Sequence, residues 1–333
     1  MIIPILLLLF GLALLWFGSD FVIESAKKLA QRFRLSHVFI GLTVVSIGTS
    51  LPEIFTNIYS GISNLKGIPA SGLAVGVNIG SSITQMTLVV GLVALAGTLR
   101  ATKKTLSRDG VAILFSIFLV FLIGLTGSVS RIEGIILILA YIVYLIFLSM
   151  DERNDRRESP LLAEPVDAIE LKSRKLRHHP VIVSLIMLGG LGLLILGGKF
   201  VVDNALIIAS GLNLAQTFVG VIIIGIGGCL PELSTALKGM FRKAHDISLG
   251  TLIGSNITNP LLSLGIGATI SNFSFNKSLL FFDLPFWGLS VLIVMSLLKK
   301  NMTVDKTEKK EGIILIGFYV LFVLIKVVFF MHV

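Results

Sequence analysis

Residues 18–53 lie over residues 197–232 at a constant offset of 179, without a gap and with thirteen of 36 positions identical. GSDFVIESAKKLAQRFRLSHVFIGLTVVSIGTSLPE matches GGKFVVDNALIIASGLNLAQTFVGVIIIGIGGCLPE, so Gly18, Phe21, Gly41 and the run Leu51, Pro52, Glu53 all recur. A second block, GVNIGSSITQ at 76–85, lies over GTLIGSNITN at 250–259 at an offset of 174, which also carries Asp109 onto Asp283. Shared hydrophobicity alone does not keep glycine, proline and acidic positions in step. The chain is one unit written twice, and its fold has to hold two related copies.

The solvent of that fold follows from composition. Hydrophobic residues make up 54% of the 333 positions, glycine a further 33 residues, and charged residues only 14%. A soluble domain carries about 25% charge, and 14% cannot cover this much apolar surface. This is an all-α polytopic membrane protein, which excludes soluble enzymes, nucleic-acid readers and disulfide scaffolds; the lone Cys229 forbids an intrachain bridge. Stretches long enough to span a bilayer, about 20 apolar residues each, fall near 2–24, 36–63, 70–98, 110–128, 132–150, 181–208, 213–240, 247–271, 278–298 and 312–331. The first lacks the basic flank of a signal peptide and reads as a retained helix. These ten transmembrane helices divide into residues 1–150, a polar linker at 151–180 and residues 181–333. Five helices per copy is an odd number, so the second copy enters the membrane inverted, the architecture of secondary transporters.

Twenty-three of the 28 Lys and Arg residues fall on one side, in the 151–180 linker and in clusters such as Lys27 with Lys28 and Lys103 with Lys104. Only Lys66, Arg131, Lys199, Lys277 and Lys326 fall on the other. The positive-inside rule therefore expects a cytoplasmic linker and both termini outside the cell membrane. The net charge of +9 is topogenic and needs no nucleic acid or protein partner; membrane lipid is the surrounding medium.

The chemistry sits in GTSLPE at 48–53 and GGCLPE at 227–232, inside the second span of each copy. Proline within a helix removes one N–H bond and frees carbonyl oxygens around Ser46, Thr49, Gly225 and Gly228. Unsatisfied carbonyls are tolerated in lipid only where they line a cavity. Glu53 and Glu232 follow each break near mid-span, where even the mildest insertion scale charges about 2.5–3.5 kcal/mol for an acid. Two such acids with loosened carbonyls make a cage of hard oxygens for a cation. GSSITQ and GSNITN add Ser81, Gln85, Ser255 and Asn259, each pair four residues apart on one helix face. The other hydroxyls and amides there, Asn256 among them, divide between ion pathway and helix packing. Cys229 reads as a small packing residue. Asp109 and Asp283 read as fixing helix ends or gates.

With these motifs the chain resembles the sodium/calcium exchangers of the cation/calcium antiporter superfamily, over nearly its whole length. The resemblance implies an antiporter without a cofactor, whose transported ions are sodium and calcium. Glu53 and Glu232 would clamp calcium with the carbonyls of Thr49 and Gly228. Sodium would use the Ser46 and Gly225 carbonyls, the Thr49 hydroxyl, Ser50, Ser81 and Ser255, with Gln85 and Asn259 completing the middle. Against this pattern Gly228 and Cys229 stand where the first copy has Thr49 and Ser50, so the second half reads as short of a hydroxyl. A proton- or magnesium-coupled exchanger on the same scaffold is the alternative. An intramembrane aspartyl hydrolase would show Tyr-Asp and Gly-x-Gly-Asp pairs, which are missing from this sequence.

Overall fold

The computed structural model describes residues 2–30, 41–97, 105–158, 180–241, 245–304 and 309–332. Most of the expected linker (159–179) and the cations Arg32, Arg34, Lys103, Lys104, Arg242 and Lys243 lie outside the described residues.

The described chain is almost wholly helical, as lipid requires of a backbone that has no water to bond. Helix α1 (Ile2–Ala30) is followed by a π-helical turn (Gly41–Val45), the short α2 (Ser46–Thr49) and α3 (Leu51–Leu65). Next come α4 (Ser71–Thr84), a π-helical turn (Gln85–Val89) and α5 (Val90–Ala96). A further such turn (Thr105–Asp109) opens α6 (Gly110–Gly124), and α7 (Arg131–Glu158) follows. The same succession then recurs. It runs through α8 (Pro180–Gly211), the π turn Val219–Ile224, α9 (Gly225–Gly228), α10 (Leu230–Phe241) and α11 (His245–Thr258). It closes with the π turn Asn259–Ser263, α12 (Leu264–Ile270), the π turn Leu279–Asp283, α13 (Leu284–Val304) and α14 (Lys309–Phe330). Two-residue strands β1 (Ser128–Val129) and β2 (Phe273–Ser274) pair antiparallel, Ser128 opposite Ser274.

Eight helical segments among the described residues are long and apolar enough to cross a membrane. The segments 41–65 and 245–270 are not among them, because both carry dense buried polar faces. In α3 that face is Glu53, Thr56, Asn57, Ser60 and Ser63; in α11 and its π turn it is Ser248, Thr251, Ser255, Asn256, Thr258, Asn259 and Ser263. These polar segments form the centre. The large apolar side chains of α1, α6, α7 and α14 point outward, with Phe10, Phe118, Phe147 and Phe329 all more than half exposed. Such an inside-out distribution suits lipid, not water.

Close backbone approach holds the centre together. A Cβ on Gly80 of α4 would overlap the backbone of Val221, and one on Gly254 of α11 would stand 2.7 Å from the Ser46 side chain. Glycine thus lets α4 lie directly on the π turn before α9, and α11 directly on α2.

Several connections meet at one end of the bundle. Gln216 Nε2 donates to the Pro69 carbonyl (2.9 Å), Phe275 N–H to Gly127 O (2.9 Å), Arg131 N–H to Asn272 Oδ1 (3.1 Å) and Ala215 N–H to Met331 O (3.0 Å). Asn64 Nδ2, 3.5 Å from the Asn272 carbonyl, joins the two sets, so the segments 66–70, 125–130, 212–216 and 271–276 and Met331 share that end.

Candidate cation site

The two breaks are shallow. Ser50 takes φ −79° and ψ 2°, Cys229 takes φ −85° and ψ 6°, and each is followed by a Leu-Pro-Glu first turn. At the first break the expected loosening of carbonyls is narrower than proline alone implied. Ser46 O still accepts from Ser50 N–H at 3.0 Å and also from the Thr49 hydroxyl at 3.2 Å. Pro52 withdraws a donor from the residue four positions back, Gly48, and leaves Ser46 its helical partner.

Glu53 and Glu232 occupy the first turns of α3 and α10, where the positive end of a helix favours an acid. Both are 0% exposed, and none of their four carboxylate oxygens makes a hydrogen bond among the described residues. The Ser81 hydroxyl borders Glu53, and the Thr49 and Ser255 hydroxyls border Glu232, close but without hydrogen-bond geometry. A buried carboxylate without partners costs several kcal/mol, a cost that a bound cation or a proton removes.

All eleven residues singled out from the sequence are buried. Thr49 Oγ1 and Ser255 Oγ lie 3.2 Å apart, and Asn259 Nδ2 donates to Ser81 Oγ at 3.2 Å, so each half's hydroxyl meets the other half. The Gly225 Cα sits against the Gly80–Ser81 backbone, where an added Cβ would stand 3.0 Å from the Ser81 nitrogen. Ser46 Oγ pairs with Thr258 Oγ1 at 2.9 Å, and Ser50 Oγ is buried without a partner among the described residues. Gln85 is in the same core, with its Oε1 taken by Asn256 Nδ2 at 2.8 Å.

Gly228 meets the opposite half. Beside Thr49 it reads as a lost hydroxyl. In the fold a Cβ at this position would stand 3.0 Å from Glu53 Oε1. The glycine makes room for the carboxylate of the opposite half, and a larger side chain there would press on that carboxylate.

Sequence reasoning missed the residues that brace the site. Asn57 Nδ2 donates to Glu53 O (2.8 Å) and Ser263 Oγ (3.1 Å), and Asn78 Nδ2 donates to Asn57 Oδ1 (3.0 Å). The four-residue step from Glu53 to Asn57 was the available signal. Tyr141 OH reaches Thr258 Oγ1 (3.1 Å), while Thr84 Oγ1 donates to Tyr319 OH (3.5 Å). Farther out, Asp109 accepts from Arg108 at 2.7 Å, and Asp283 accepts from Lys326 at 2.9 Å in a pair whose side chains are both 0% exposed. Both acids were read as fixing helix ends, and each is held by a cation.

Among the described residues no group of three or more His, Cys, Asp or Glu side chains converges. The donors are two carboxylates with hydroxyl, amide and backbone oxygens, a hard set that suits alkali and alkaline-earth cations.

The sodium/calcium exchanger protein family is matched over residues 3–150 and 182–328 of this chain. The chain belongs to that family. The sodium/calcium exchanger MaX1 of Methanosarcina acetivorans is 33% identical over 350 residues, covering 96% of this chain and 97% of the relative. The inner membrane protein YrbG of Escherichia coli is 31% identical, with 81% of each chain covered. Among solved structures, the sodium-calcium exchanger NCX_Mj soaked with 2.5 mM Na+ and 0.1 mM Ca2+ is 28% identical, covers 96% of this chain and 97% of that one, and superposes with a TM-score of 0.64. The family member described here is thus a multi-pass membrane protein of the cation/calcium antiport class, a transporter and not an enzyme.

Proposed function

We propose that this exchanger carries sodium against calcium by alternating access, at a midplane site built from Glu53, Glu232, Thr49, Gly228, Ser46, Gly225, Ser50, Ser81, Gln85, Ser255 and Asn259. The observation that carries this reading is the pair of fully buried, unpartnered carboxylates, one from each copy of the motif. One Ca2+ or two Na+ neutralises them, whereas all three ions together would repel strongly in a site without water. Competition for the same oxygens is the coupling: a loaded pocket is neutral and lets the bundle change its facing, and an empty one is not.

In this reading ten helices cross the membrane, in two inverted halves at 1–150 and 181–333, joined by the linker at 151–180. The connections gathered at one end support that count, since the chain must leave and return between consecutive members of the set. That end holds Lys66, Arg131 and Lys277, part of the minority of cations, and so faces outward with both termini, leaving the linker cytoplasmic.

The test is ⁴⁵Ca2+ uptake into sodium-loaded proteoliposomes, with Mg2+, Mn2+ and pH-gradient controls. Uptake should follow the sodium gradient and collapse with it. Uptake driven by a pH gradient alone, or by Mg2+ in place of calcium, would replace this assignment.

A further inference from the structure

The orientation of the Asn256 amide is fixed by neighbours that can only donate or only accept. Asn256 is held from two sides. Its Nδ2 donates to the Leu252 carbonyl at 2.9 Å, and its Oδ1 accepts from the Trp287 indole N–H at 2.9 Å. A peptide carbonyl cannot donate and an indole nitrogen cannot accept, so the Asn256 amide has one orientation. It therefore presents a donor to Gln85, and Gln85 must answer with its oxygen, Oε1, at 2.8 Å. The other end of that amide, Nε2, is buried and has no partner among the described residues. Asn259, at the repeat-related position, is fixed the opposite way. The Ser81 hydroxyl donates to Val77 O at 2.8 Å, so it accepts from Asn259 Nδ2 and leaves Asn259 Oδ1 unpartnered.

We infer that Trp287, acting through Asn256, sets Gln85 as a hydrogen-bond donor at the ion pocket, so that Gln85 positions a carboxylate and the cage takes its amide oxygen from Asn259 alone. The inference rests on the exchanger reading and changes one member of its ligand set. An amide NH₂ repels a cation, and buried without an acceptor it is costly. The unpartnered buried acceptors include the four oxygens of Glu53 and Glu232, Asn78 Oδ1 and Asn259 Oδ1, and a carboxylate is the strongest acceptor among them for Gln85 Nε2. Gln85 lies one helical turn beyond Ser81, whose hydroxyl borders Glu53. Asn256 and Trp287 touch no ion in this scheme and are positioning residues.

Releasing Gln85 should therefore give the pocket an oxygen it now lacks. Asn256→Ser removes the donor that holds Gln85 Oε1, and serine is what the first copy carries at the related position, Ser82. Sodium titration of calcium efflux from proteoliposomes should show half-saturation falling about fivefold, the size of one added ligand, with the maximal rate less affected. The gain should vanish when Gln85→Met is combined with it, a coupling that general loosening of the core does not produce. If Asn256→Ser does not fold, Asn256→Asp keeps the shape and the indole's acceptor while drawing Gln85 Nε2 toward itself; its bare charge effect is read in the Gln85→Met background. Unchanged or weaker sodium affinity in the folded variant, or a gain that persists without Gln85, overturns the relay. Wild-type calcium flux without sodium dependence would instead sink the exchanger reading, and this inference with it.

Discussion

The two broken segments share Leu-Pro-Glu and differ in what stands behind it. Behind Glu53, α3 continues with Thr56, Asn57 and Ser60, all buried, and Asn57 ties the turn to Ser263 and Asn78. At the offset of 179 the second copy has Thr235, Ala236 and Gly239, and Leu233 and Leu237 of α10 pack against the large apolar cluster. The first acid is braced by one amide on its own helix, Asn57, backed by Asn78 of α4. In the second half the polar chain runs between α11 and α13, through Asn256 and Trp287, and ends on Gln85 of the first. Duplication thus preserved the carboxylates while the surrounding support diverged, because an ion constrains the oxygens around it and leaves the second layer free to be polar or apolar.

The largest effect expected from this comparison is a null result for asymmetry. Glu53→Gln and Glu232→Gln each remove half of the fixed negative charge, so each should reduce sodium-driven calcium flux by about a hundredfold or more, in protein that elutes and melts like wild type. Isothermal calcium titration alongside the flux assay checks the same loss. If one variant retained near-normal exchange, the acids would be unequal and the shared role of the two motifs would fail.

The outer ion pairs differ more sharply. Asp109 is held by its sequence neighbour Arg108, whose side chain is 21% exposed and also reaches Asp151 at 3.0 Å. Asp283 is held by Lys326 of α14, fully buried, with Phe330 5.0 Å and Phe282 6.0 Å from the ammonium. Removing one partner of a buried pair costs about 3–5 kcal/mol; Asp109 is also 0% exposed but would keep the Tyr144 hydroxyl at 3.3 Å, whereas Asp283 Oδ1 has no partner among the described residues. Lys326→Met should therefore lower the melting temperature in detergent far more than Arg108→Met. Equal shifts would show that the lysine reaches water.

How much of this was legible follows from where the signals sit. In an apolar chain, a glutamate beside proline and glycine is conspicuous, and its recurrence at a fixed offset pointed to both halves of the candidate site from local pattern. Lys326 was counted as an outer-side cation because its sequence neighbours say nothing of Asp283, 43 positions away. The orientation of Gln85 depends on an indole that is distant in sequence and that no periodicity connects to it. The space at Gly228 is filled by a carboxylate from the other half, so a comparison of motifs could only record a missing side chain. Contacts between distant segments, donor direction and volume were the unreadable part.

A smaller effect tests that space. Gly228→Ala places a methyl group 3.0 Å from Glu53 Oε1, at the mobile end of a side chain that can shift by a few tenths of an ångström. Calcium half-saturation should rise about tenfold, roughly 1.4 kcal/mol, with sodium moving in the same direction because both ions use that oxygen. The related change in the first copy, Thr49→Ala, should weaken sodium more than calcium, since it removes a hydroxyl and leaves the acid in place. If Gly228→Ala left both affinities unchanged, Glu53 would have room to spare and the glycine would owe its place to the helix break alone.

The smallest effect should come from Cys229, which shares a register with Ser50. The thiol donates to Ile226 O at 3.2 Å and belongs to the apolar cluster, whereas the Ser50 hydroxyl is buried with no partner among the described residues. A satisfied thiol packed in the apolar cluster has less need of an ion than an unsatisfied buried hydroxyl. Cys229→Ser keeps a donor able to bond the carbonyl three residues back and removes little volume. Sodium half-saturation in the efflux assay should stay within about twofold of wild type, while Ser50→Ala should raise it by about fivefold. Were Cys229→Ser to shift sodium as far as Ser50→Ala does, the thiol would have to face the ions. The two halves would then be closer to symmetric than their packing indicates, and the second half would not be short of a ligand after all.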